Sequence, residues 1–313
     1  MRVLVTGATG RVGRLLVPML LDEEYSVRTL QRGVSGAGLQ WPADVEVQIG
    51  SITSRETVDR ALQEVDVVCH LAALMPPNSN DALFDTNVVG TFNIIDSIVQ
   101  SNSSAKLVFA STDATYGTGF SDRKYLHPIT ETTPPQPTNF YGVTKVMGED
   151  LVNQCGRLND IDYTILRFAW VLAANELLEL FTMGMWRDFM THEQTEKLHI
   201  SNAIPVVLEG DGSPFSDHIV DPRDAAAACL LAISRMPSGD TFNICGPEPF
   251  RYLDYSPGIA ERLGLELVEL PLVNFHSYAF DGSKARERLN FVAQHNLDAV
   301  LSEAFALAKG TCD

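Results

Sequence analysis

A tyrosine and a lysine four residues apart form the pair with the clearest chemical potential in this sequence. Tyr141 and Lys145 lie in the segment Phe-Tyr-Gly-Val-Thr-Lys. On a helix, residues at this spacing share one face, so the phenol and the ammonium would be neighbours. A phenol with a pKa of about 10 is a poor base at neutral pH, and a nearby cation lowers that pKa. We therefore predict that Tyr141 is a general acid/base activated by Lys145.

Hydroxyl side chains follow an apolar segment upstream of this pair. The ten residues from Val108 read Val-Phe-Ala-Ser-Thr-Asp-Ala-Thr-Tyr-Gly, which is typical of a buried strand that ends in polar residues. The carboxyl ends of parallel strands line the ligand crevice of an open α/β sheet. We therefore expect Ser111 and Thr112 beside a nicotinamide, with Thr112 hydrogen-bonded to the reacting oxygen. The alternative is that these hydroxyls only cap the strand.

Three glycines stand between the first predicted strand and the first predicted helix. Residues 3–13 read Val-Leu-Val-Thr-Gly-Ala-Thr-Gly-Arg-Val-Gly, which places glycine at Gly7, Gly10 and Gly13. Glycine permits a tight turn and lets the backbone approach a pyrophosphate closely. The helix N-terminus adds N–H donors and the positive end of the helix dipole. The pattern indicates a dinucleotide site, and an ordinary structural turn is the alternative.

The end of the second predicted strand bears on the choice between NAD and NADP. NAD sites usually carry an acidic residue there, which binds the ribose 2′-hydroxyl. No acidic residue occurs between Glu24 and Asp44, and Gln31 and Arg32 stand near the expected place. Arg32 would pair with a 2′-phosphate, although an ordinary surface arginine is the alternative. We predict NADP in preference to NAD.

The elements that would position these residues alternate through the first 170 residues. Short apolar runs predict strands over Val3–Val5, Ser26–Leu30, Val45–Ile49, Asp66–Leu71, Lys106–Ala110 and Tyr163–Phe168. Amphipathic periodicity predicts helices over Arg11–Leu21, Glu56–Gln63, Asn87–Val99 and Phe140–Cys155. This alternation implies right-handed crossovers and a parallel sheet with helices on both faces.

We therefore expect an α/β fold of the Rossmann type, with a doubly wound parallel sheet. Residues 1–170 would form the NAD(P)-binding domain, and residues 171–313 a smaller, mainly substrate-binding lobe with some segments returning to the sheet. The segment Glu176–Met190 is predicted as a helix that is apolar nearly all round. It would be core of the second lobe or, alternatively, a lid over a partly hydrophobic pocket.

Composition excludes several classes of partner. A net charge of −17 without any basic block argues against nucleic acid, whose phosphates require clustered Lys and Arg. No apolar run approaches the length of a membrane span, and neither histidines nor cysteines show a metal-ligand spacing. Five scattered cysteines fit reduced thiols. We expect a cytoplasmic protein that binds a small-molecule substrate and no metal.

Taken together, these motifs resemble the extended short-chain dehydrogenase/reductases, the NAD(P)-dependent epimerase/dehydratase group. The likeness covers nearly the whole chain and follows the order of the motifs. Besides the glycine-rich turn and the Tyr-Lys pair, it rests on His70-Leu71-Ala72-Ala73, Asn87-Val88-Val89-Gly90-Thr91, the segment from Ser111 to Gly117 and the Pro-rich run Thr133–Pro137.

The resemblance implies roles for individual residues. Lys145 would hold the nicotinamide ribose and lower the pKa of Tyr141, Thr112 would orient the substrate oxygen, and Asn87 would support the active-site helix. The residues implied to contact the cofactor are Gly7, Thr9, Gly10, Arg11, Val12, Gly13, Arg32, Ser51, Ile52, Leu71, Ala72, Ala73, Asn87, Ala110, Tyr141 and Lys145. Those implied to contact the substrate are Met75, Thr112, Asp113 and Trp170.

Three departures from the family's patterns narrow the range of reactions that the resemblance implies. Sugar-nucleotide dehydratases carry a glutamate where this chain has Ala114, so the base for elimination is missing. Sugar-nucleotide enzymes usually place a diphosphate-binding arginine at the position of Ser216, and that clamp is lost here. The segment Leu166–Val171 lacks the asparagine that is common in sugar epimerases.

We therefore favour an oxidoreductase that transfers a hydride between nicotinamide and a hydroxyl or carbonyl carbon of a small molecule. The first alternative is a sugar or nucleotide-sugar epimerase with tightly bound NAD. The second is a non-catalytic NAD(P)-binding redox sensor. The resemblance also implies a homodimer formed through the helices Asn87–Val99 and Tyr141–Cys155, although ordinary packing on the sheet is the alternative.

Overall fold

The computed structural model describes residues 1–33, 40–101, 104–120, 124–197 and 203–310. The strands are β1 (Arg2–Thr6), β2 (Ser26–Gln31), β3 (Val45–Ile49), β4 (Val67–His70), β5 (Lys106–Thr112), β6 (Gly119–Phe120), β7 (Tyr163–Phe168), β8 (Trp170–Val171), β9 (Ala203–Glu209), β10 (Ser216–Asp217), β11 (Ile219–Val220), β12 (Asp240–Ile244), β13 (Phe250–Arg251), β14 (Glu266–Leu272) and β15 (Phe275–His276).

Helices flank these strands. The α-helices are α1 (Gly13–Asp22), α2 (Arg55–Ala61), α3 (Asn80–Phe84), α4 (Gly90–Gln100), α5 (Phe140–Leu158), α6 (Ala174–Leu180), α7 (Met183–Trp186), α8 (His192–Lys197), α9 (Pro222–Arg235), α10 (Tyr252–Leu263) and α11 (Leu297–Gly310). Two π-helical turns cover Asp85–Val89 and Ala285–Leu289, and two 3-10 turns cover Asp113–Thr115 and Arg187–Phe189.

Seven strands form one parallel sheet in the order β12-β7-β5-β4-β1-β2-β3. Chain order reverses at β1, which pairs with β2 on one side and with β4 on the other. The carboxyl ends of β1 and β4 therefore border the crevice in which doubly wound sheets bind their ligands. The predicted Rossmann-type fold is confirmed, and β12 shows that a late segment returns to the sheet. The domain boundary at residue 170 stays a prediction.

The predicted helix Asn87–Val99 begins too late. Helical structure starts at Asn80, where Ser79 Oγ accepts a hydrogen bond from the backbone N–H of Ala82. It then passes through the π-turn Asp85–Val89 into α4. The sequence pattern missed this start because the short α3 has a single buried side chain, Leu83.

The prediction of one helix over Glu176–Met190 is wrong. Helix α6 ends at Leu180, whose carbonyl accepts a hydrogen bond of 3.0 Å from the indole Nε1 of Trp186. The chain then folds back as the short helix α7, so that the apolar side chains on all sides find partners. The lid hypothesis is also wrong for most of these side chains, since Leu177, Leu180, Phe181, Met183 and Trp186 are buried in the hydrophobic core.

Strands β9 and β14 are among the strands that the sequence analysis did not predict. They pair in parallel over seven residues, and each contains a proline, Pro205 or Pro271. Proline cannot donate to a ladder, but a sheet of two strands has only edges, where proline is tolerated. Helix α11 was also missed. Among the residues that the structure describes, no helix is long and apolar enough to cross a membrane.

Candidate active site

Thr112 and Tyr141 meet because the first turn of α5 packs directly on the turn that follows β5. Asn139 caps α5 by accepting a hydrogen bond from the N–H of Gly142 at 2.8 Å. A Cβ on Gly142 would lie 2.5 Å from the carbonyl oxygen of Ala114, so only glycine permits this approach. The two side chains predicted to handle the substrate oxygen are therefore brought together.

The phenol of Tyr141 lies in a negative environment. Burial raises its pKa, and the charge of Asp113 raises it further, while a hydrogen bond with Thr112 opposes both effects. The charge that acts on the phenol in the protein alone is that of an anion, and the lowering of its pKa by Lys145 stays a prediction. Deprotonation of Tyr141 requires a further positive charge at the site.

Lys145 lies on the same face of α5 as Tyr141, and its side chain is buried. Its Nζ donates a hydrogen bond of 2.6 Å to the carbonyl of Ala110 and lies 4.3 Å from the centre of the Phe109 ring. Burial lowers the pKa of Lys145 to about 8, although the carboxylate of Glu149 raises it. The ammonium is thus fixed at the carboxyl end of β5, next to the predicted nicotinamide site.

Beneath Lys145 lies a buried ion pair that the sequence analysis missed. Glu149, one helical turn beyond Lys145, accepts hydrogen bonds from Arg167 Nε at 2.9 Å and Nη2 at 2.6 Å. The side chains are only 4% and 8% exposed. Ser111 also donates to Glu149 and is buried, so its hydroxyl hydrogen is already engaged, and its place beside the nicotinamide stays a prediction. In the sequence, the available signal for Glu149 was its position eight residues after Tyr141, a spacing that keeps both residues on one side of a helix.

A second carboxyl group lies near Asp113. Asp217, in β10, is buried and accepts hydrogen bonds from the hydroxyls of Tyr278 and Tyr252, the latter at 3.4 Å. Burial raises the pKa of Asp113 to about 6, the hydrogen bond from Thr112 opposes this, and the charge of Asp217 adds to the rise. The substrate side of Tyr141 is therefore acidic.

The acidity of this region leads to a prediction about pH dependence. Asp113 is mostly ionised above pH 6 and then disfavours the phenolate of Tyr141. We expect Asp113→Asn to move the acidic limb of the kcat/KM profile for oxidation downward by roughly one pH unit. Asp211→Asn, in an exposed turn, is the control and leaves that limb in place. An unchanged limb in Asp113→Asn would show that its charge does not act on the catalytic group.

The glycine-rich loop fits the pyrophosphate of a dinucleotide. Gly7 has a φ of +69°, and a Cβ there would lie 2.6 Å from the backbone nitrogen of Ala72, so the loop touches the end of β4. A Cβ on Gly13 would lie 2.5 Å from the carbonyl oxygen of Gly7, so α1 starts directly on the loop. Thr9 and Gly10 are exposed at this N-terminus, where the N–H of Gly10 donates to the carbonyl of Gly7 at 3.0 Å and the first turn of α1 offers further N–H groups to an anion.

Arg11, predicted as a cofactor ligand, forms an ion pair with an acidic residue of α6. Its Nε lies 2.8 and 2.7 Å from the two carboxylate oxygens of Glu176, at the start of α6. The side chains are 38% and 25% exposed. The ion pair connects the loop between β1 and α1 to the first turn of α6. Glu176 is therefore a residue of the site that the sequence did not reveal.

Asn87 has the supporting role that the resemblance implied. Its Oδ1 accepts from the N–H of Leu74 at 2.8 Å, and its Nδ2 donates to the carbonyl of Leu74 and to Oγ1 of Thr144, each at 3.0 Å. Thr144 Oγ1 donates in turn to the carbonyl of Tyr141. Asn87 thus joins the segment after β4 to the first turn of α5.

The remaining predicted residues lie at the carboxyl ends of the strands or beyond them. Arg32 is exposed directly after β2, and most of the loop that follows, residues 34–39, lies outside the described part of the chain. Ser51 and Ile52 follow β3, Leu71–Ala73 follow β4, and Val12 precedes α1. Met75 is 47% exposed, and Trp170 is half-buried in β8, which pairs with β11. The contacts of these residues with cofactor or substrate stay predictions.

Sequence comparisons agree with this architecture. The profile of the NAD dependent epimerase/dehydratase family matches residues 3–245. The L-arabinose 1-dehydrogenase (NAD(P)(+)) of Haloferax volcanii is 29% identical over 241 residues, which cover 71% of this chain and 89% of that protein. The UDP-glucose 4-epimerase of Azospirillum brasilense is 31% identical over 329 residues, which cover 97% of this chain and 91% of that protein.

Solved structures show the same fold. A short-chain dehydrogenase/reductase superfamily protein from Agrobacterium tumefaciens with bound NAD has a TM-score of 0.85 and 29% identity, covering 100% of both chains. The UDP-glucose 4-epimerase of Thermotoga maritima with UDP-glucose has a TM-score of 0.79 and also covers 100% of both chains. Its identity is 23%, so this second likeness concerns the fold alone.

Proposed function

The chain belongs to the NAD dependent epimerase/dehydratase family and is an enzyme of the short-chain dehydrogenase type, and from that premise we propose a specific reaction for it. It oxidises a hydroxyl carbon, or reduces a carbonyl carbon, of a small molecule with NAD(P). The observation that carries the proposal is the meeting of Thr112 and Tyr141 where β5 ends, beside the buried ammonium of Lys145.

Each residue of the site has a separate role in the proposed reaction. Thr112 orients the substrate oxygen, and the phenol of Tyr141 takes its proton in oxidation and returns it in reduction. The residues that would hold the dinucleotide are Lys145 and those of the glycine-rich loop, including Gly10 and Gly13. When bound, the nicotinamide supplies the hydride acceptor and a positive charge. That charge is of the kind the phenol of Tyr141 requires for its deprotonation.

Charge favours a dehydrogenase over a nucleotide-sugar epimerase. Asp113 and Asp217 make the substrate side acidic, and Ser216 stands where related sugar-nucleotide enzymes carry an arginine. A diphosphate would meet repulsion there without a compensating clamp. The dehydrogenase among the relatives supports the same choice. An epimerase is the second candidate, because UDP-glucose 4-epimerases align with nearly the whole chain.

The two candidates separate in one experiment. The purified enzyme is incubated with NAD or NADP and with neutral sugars, sugar acids, hydrophobic alcohols or UDP-sugars, and the absorbance of the reduced nicotinamide is followed. A dehydrogenase forms reduced cofactor in stoichiometric amounts with its substrate. Conversion of a UDP-sugar to its epimer without net change of the cofactor would reject the proposal in favour of the epimerase.

Cofactor choice is proposed to depend on Arg32. The side chain is exposed directly after β2, where a 2′-phosphate of NADP would be bound. We expect Arg32→Ala to raise the Kd of NADP by about fivefold to tenfold and to change that of NAD little, since one charge-assisted contact is lost. Fluorescence titration of both reduced cofactors measures this. Arg235→Ala, exposed at the end of α9, is the control, and equal losses for the two cofactors in Arg32→Ala contradict the NADP preference.

The homodimer is likewise a proposal, and it gains support from exposed apolar side chains on the predicted helices. Phe92 on α4 is 46% exposed and Met147 on α5 is 37% exposed. A second copy that packs on this surface would cover both. We expect Phe92→Asp to convert dimer to monomer in sedimentation experiments. Leu263→Asp, 42% exposed on α10, is the control. A wild-type monomer, or a Phe92→Asp dimer, rejects this interface.

A further inference from the structure

His70 ends β4 and belongs to a motif to which the reaction above gives no role. Its imidazole is 1% exposed, and both ring nitrogens have hydrogen-bond partners. Nδ1 lies 2.7 Å from Oγ1 of Thr6 in β1, and Nε2 lies 3.1 Å from Oγ1 of Thr91 in α4. Both threonines are fully buried. The imidazole therefore links three elements of the fold, β4, β1 and α4.

The partners of Thr91 determine which nitrogen carries the hydrogen. Thr91 Oγ1 donates its single hydrogen to the carbonyl of Asn87 at 2.7 Å, so it can only accept from His70. Nε2 therefore bears the hydrogen. Burial lowers the pKa of His70 to about 3, so the ring is neutral at pH 7 and Nδ1 is an acceptor. Thr6 must then donate to Nδ1, and the hydrogen bonds run in one direction.

Towards the cofactor, this chain of hydrogen bonds ends at the glycine-rich loop. The oxygen of Thr6 accepts a hydrogen bond of 3.3 Å from the N–H of Ala72. Gly7 follows Thr6 directly, and its backbone lies so close to Ala72 that no side chain would fit between them. The orientation of the Thr6 side chain thus fixes the gap between the loop and the end of β4.

Towards the substrate, the chain of hydrogen bonds ends at the catalytic helix. Asn87, whose carbonyl accepts from Thr91, donates through its side chain to Thr144, and Thr144 donates to the carbonyl of Tyr141 at 2.7 Å. The five side chains in the series, those of Thr6, His70, Thr91, Asn87 and Thr144, are buried. A buried polar series of this kind is stable only when each group is satisfied in one arrangement. It therefore allows a single relative position of loop and helix.

We propose that His70, as the neutral tautomer with hydrogen on Nε2, is a positioning residue that fixes the glycine-rich loop relative to the helix bearing Tyr141 and Lys145. The inference rests on the proposed function only in taking the loop as the dinucleotide site. Loss of the Thr91 hydroxyl would leave Nε2–H without an acceptor, which costs the desolvation of a buried donor. The ring would then shift, and Thr6 and the loop would shift with it.

The tautomer can be observed directly. Long-range proton–nitrogen correlation spectra of ¹⁵N-labelled enzyme distinguish the two neutral tautomers from the imidazolium. The signals of His70 are identified by their absence in His70→Asn, or by substitution of the other histidines if that variant does not fold. Nε2–H at pH 7 is the expected result. An Nδ1–H tautomer or an imidazolium at that pH overturns the proposal.

Variants of Thr91 test the effect on the loop. We expect Thr91→Val to raise the Kd of the reduced cofactor at least about threefold, and Thr91→Ser, which keeps the hydroxyl, to restore it. Thr164→Val is the matched control, since Thr164 is equally buried and donates to the carbonyl of Pro237 at 3.1 Å, in β7 away from the loop. Equal changes in Thr91→Val and Thr164→Val overturn the proposal. If Thr91→Val does not fold, the tautomer decides.

Binding is read separately from turnover so that the two proposals can fail separately. An enzyme that binds cofactor but converts no substrate contradicts the proposed function and leaves the comparison of Kd values intact. An enzyme that turns over normally, with the cofactor Kd of Thr91→Val unchanged, contradicts the positioning role of His70 alone.

Discussion

Tyr141→Phe lowers kcat at least about 100-fold while the Kd of the cofactor changes little, because only the proton-transferring hydroxyl is removed. Phenylalanine keeps the ring volume and the packing of the first turn of α5. The hydroxyl is the group that meets Thr112 and that responds to the charge of Asp113. Steady-state rates with the substrate found in the screen, together with fluorescence titration of the reduced cofactor, measure both quantities.

The matched control for this variant is Tyr163→Phe. Tyr163 is the first residue of β7, at the amino end of the strand, whereas the site lies at the carboxyl ends. Removal of its hydroxyl should leave kcat within about twofold of the wild-type value. Near-normal turnover in Tyr141→Phe would remove the phenol from the mechanism. A large loss in both variants would mean that the removal of any phenol disturbs the fold.

Arg167→Met destabilises the protein by about 3–5 kcal/mol, because it leaves the carboxylate of Glu149 buried without its partner. The two side chains are almost wholly buried and share two hydrogen bonds. Arg167 Nη1 also donates to the hydroxyl of Tyr116 at 2.8 Å, so a second buried group loses a donor. Urea denaturation followed by circular dichroism gives the free energy of unfolding.

The double variant Arg167→Met/Glu149→Leu separates charge burial from packing. With both charges gone, most of the lost stability should return, since apolar replacements of buried ion pairs are often neutral. Arg157→Met, on an exposed arginine late in α5, is the control and costs less than about 0.5 kcal/mol. If the single and double variants at the pair are equally unstable, the cost is one of volume, and the ion-pair argument fails.

The sheet could be predicted from the sequence because its signals are local. Strands β3 and β7 were placed with the observed ends, since β3 alternates apolar and polar residues and β7 is largely apolar. The spacing of Tyr141 and Lys145, and of the glycines, likewise depends only on neighbours in the chain. The local periodicity predicts the strands, the alternation of strands and helices predicts the parallel sheet, and the sheet predicts where the crevice lies.

The interactions that tune the site could not be predicted in this way. Arg11 and Glu176 are 165 residues apart, and Arg167 reaches Glu149 from a different element. No periodicity relates such residues, because their contact depends on how complete elements pack. The hydrogen-bond partner of Lys145 could not be predicted for the same reason. Four residues of spacing fix a shared helix face but not the acceptor that the ammonium finds at Ala110.

The ion pair between Arg11 and Glu176 makes the junction of the glycine-rich loop and α6 sensitive to dissolved salt. Because both side chains retain contact with water, dissolved ions weaken their attraction. A junction built from apolar packing would respond in the opposite way to many salts. The rate at which this enzyme exchanges its dinucleotide is thus expected to vary with the ionic composition of the solution. The packing of the buried core should not depend on it.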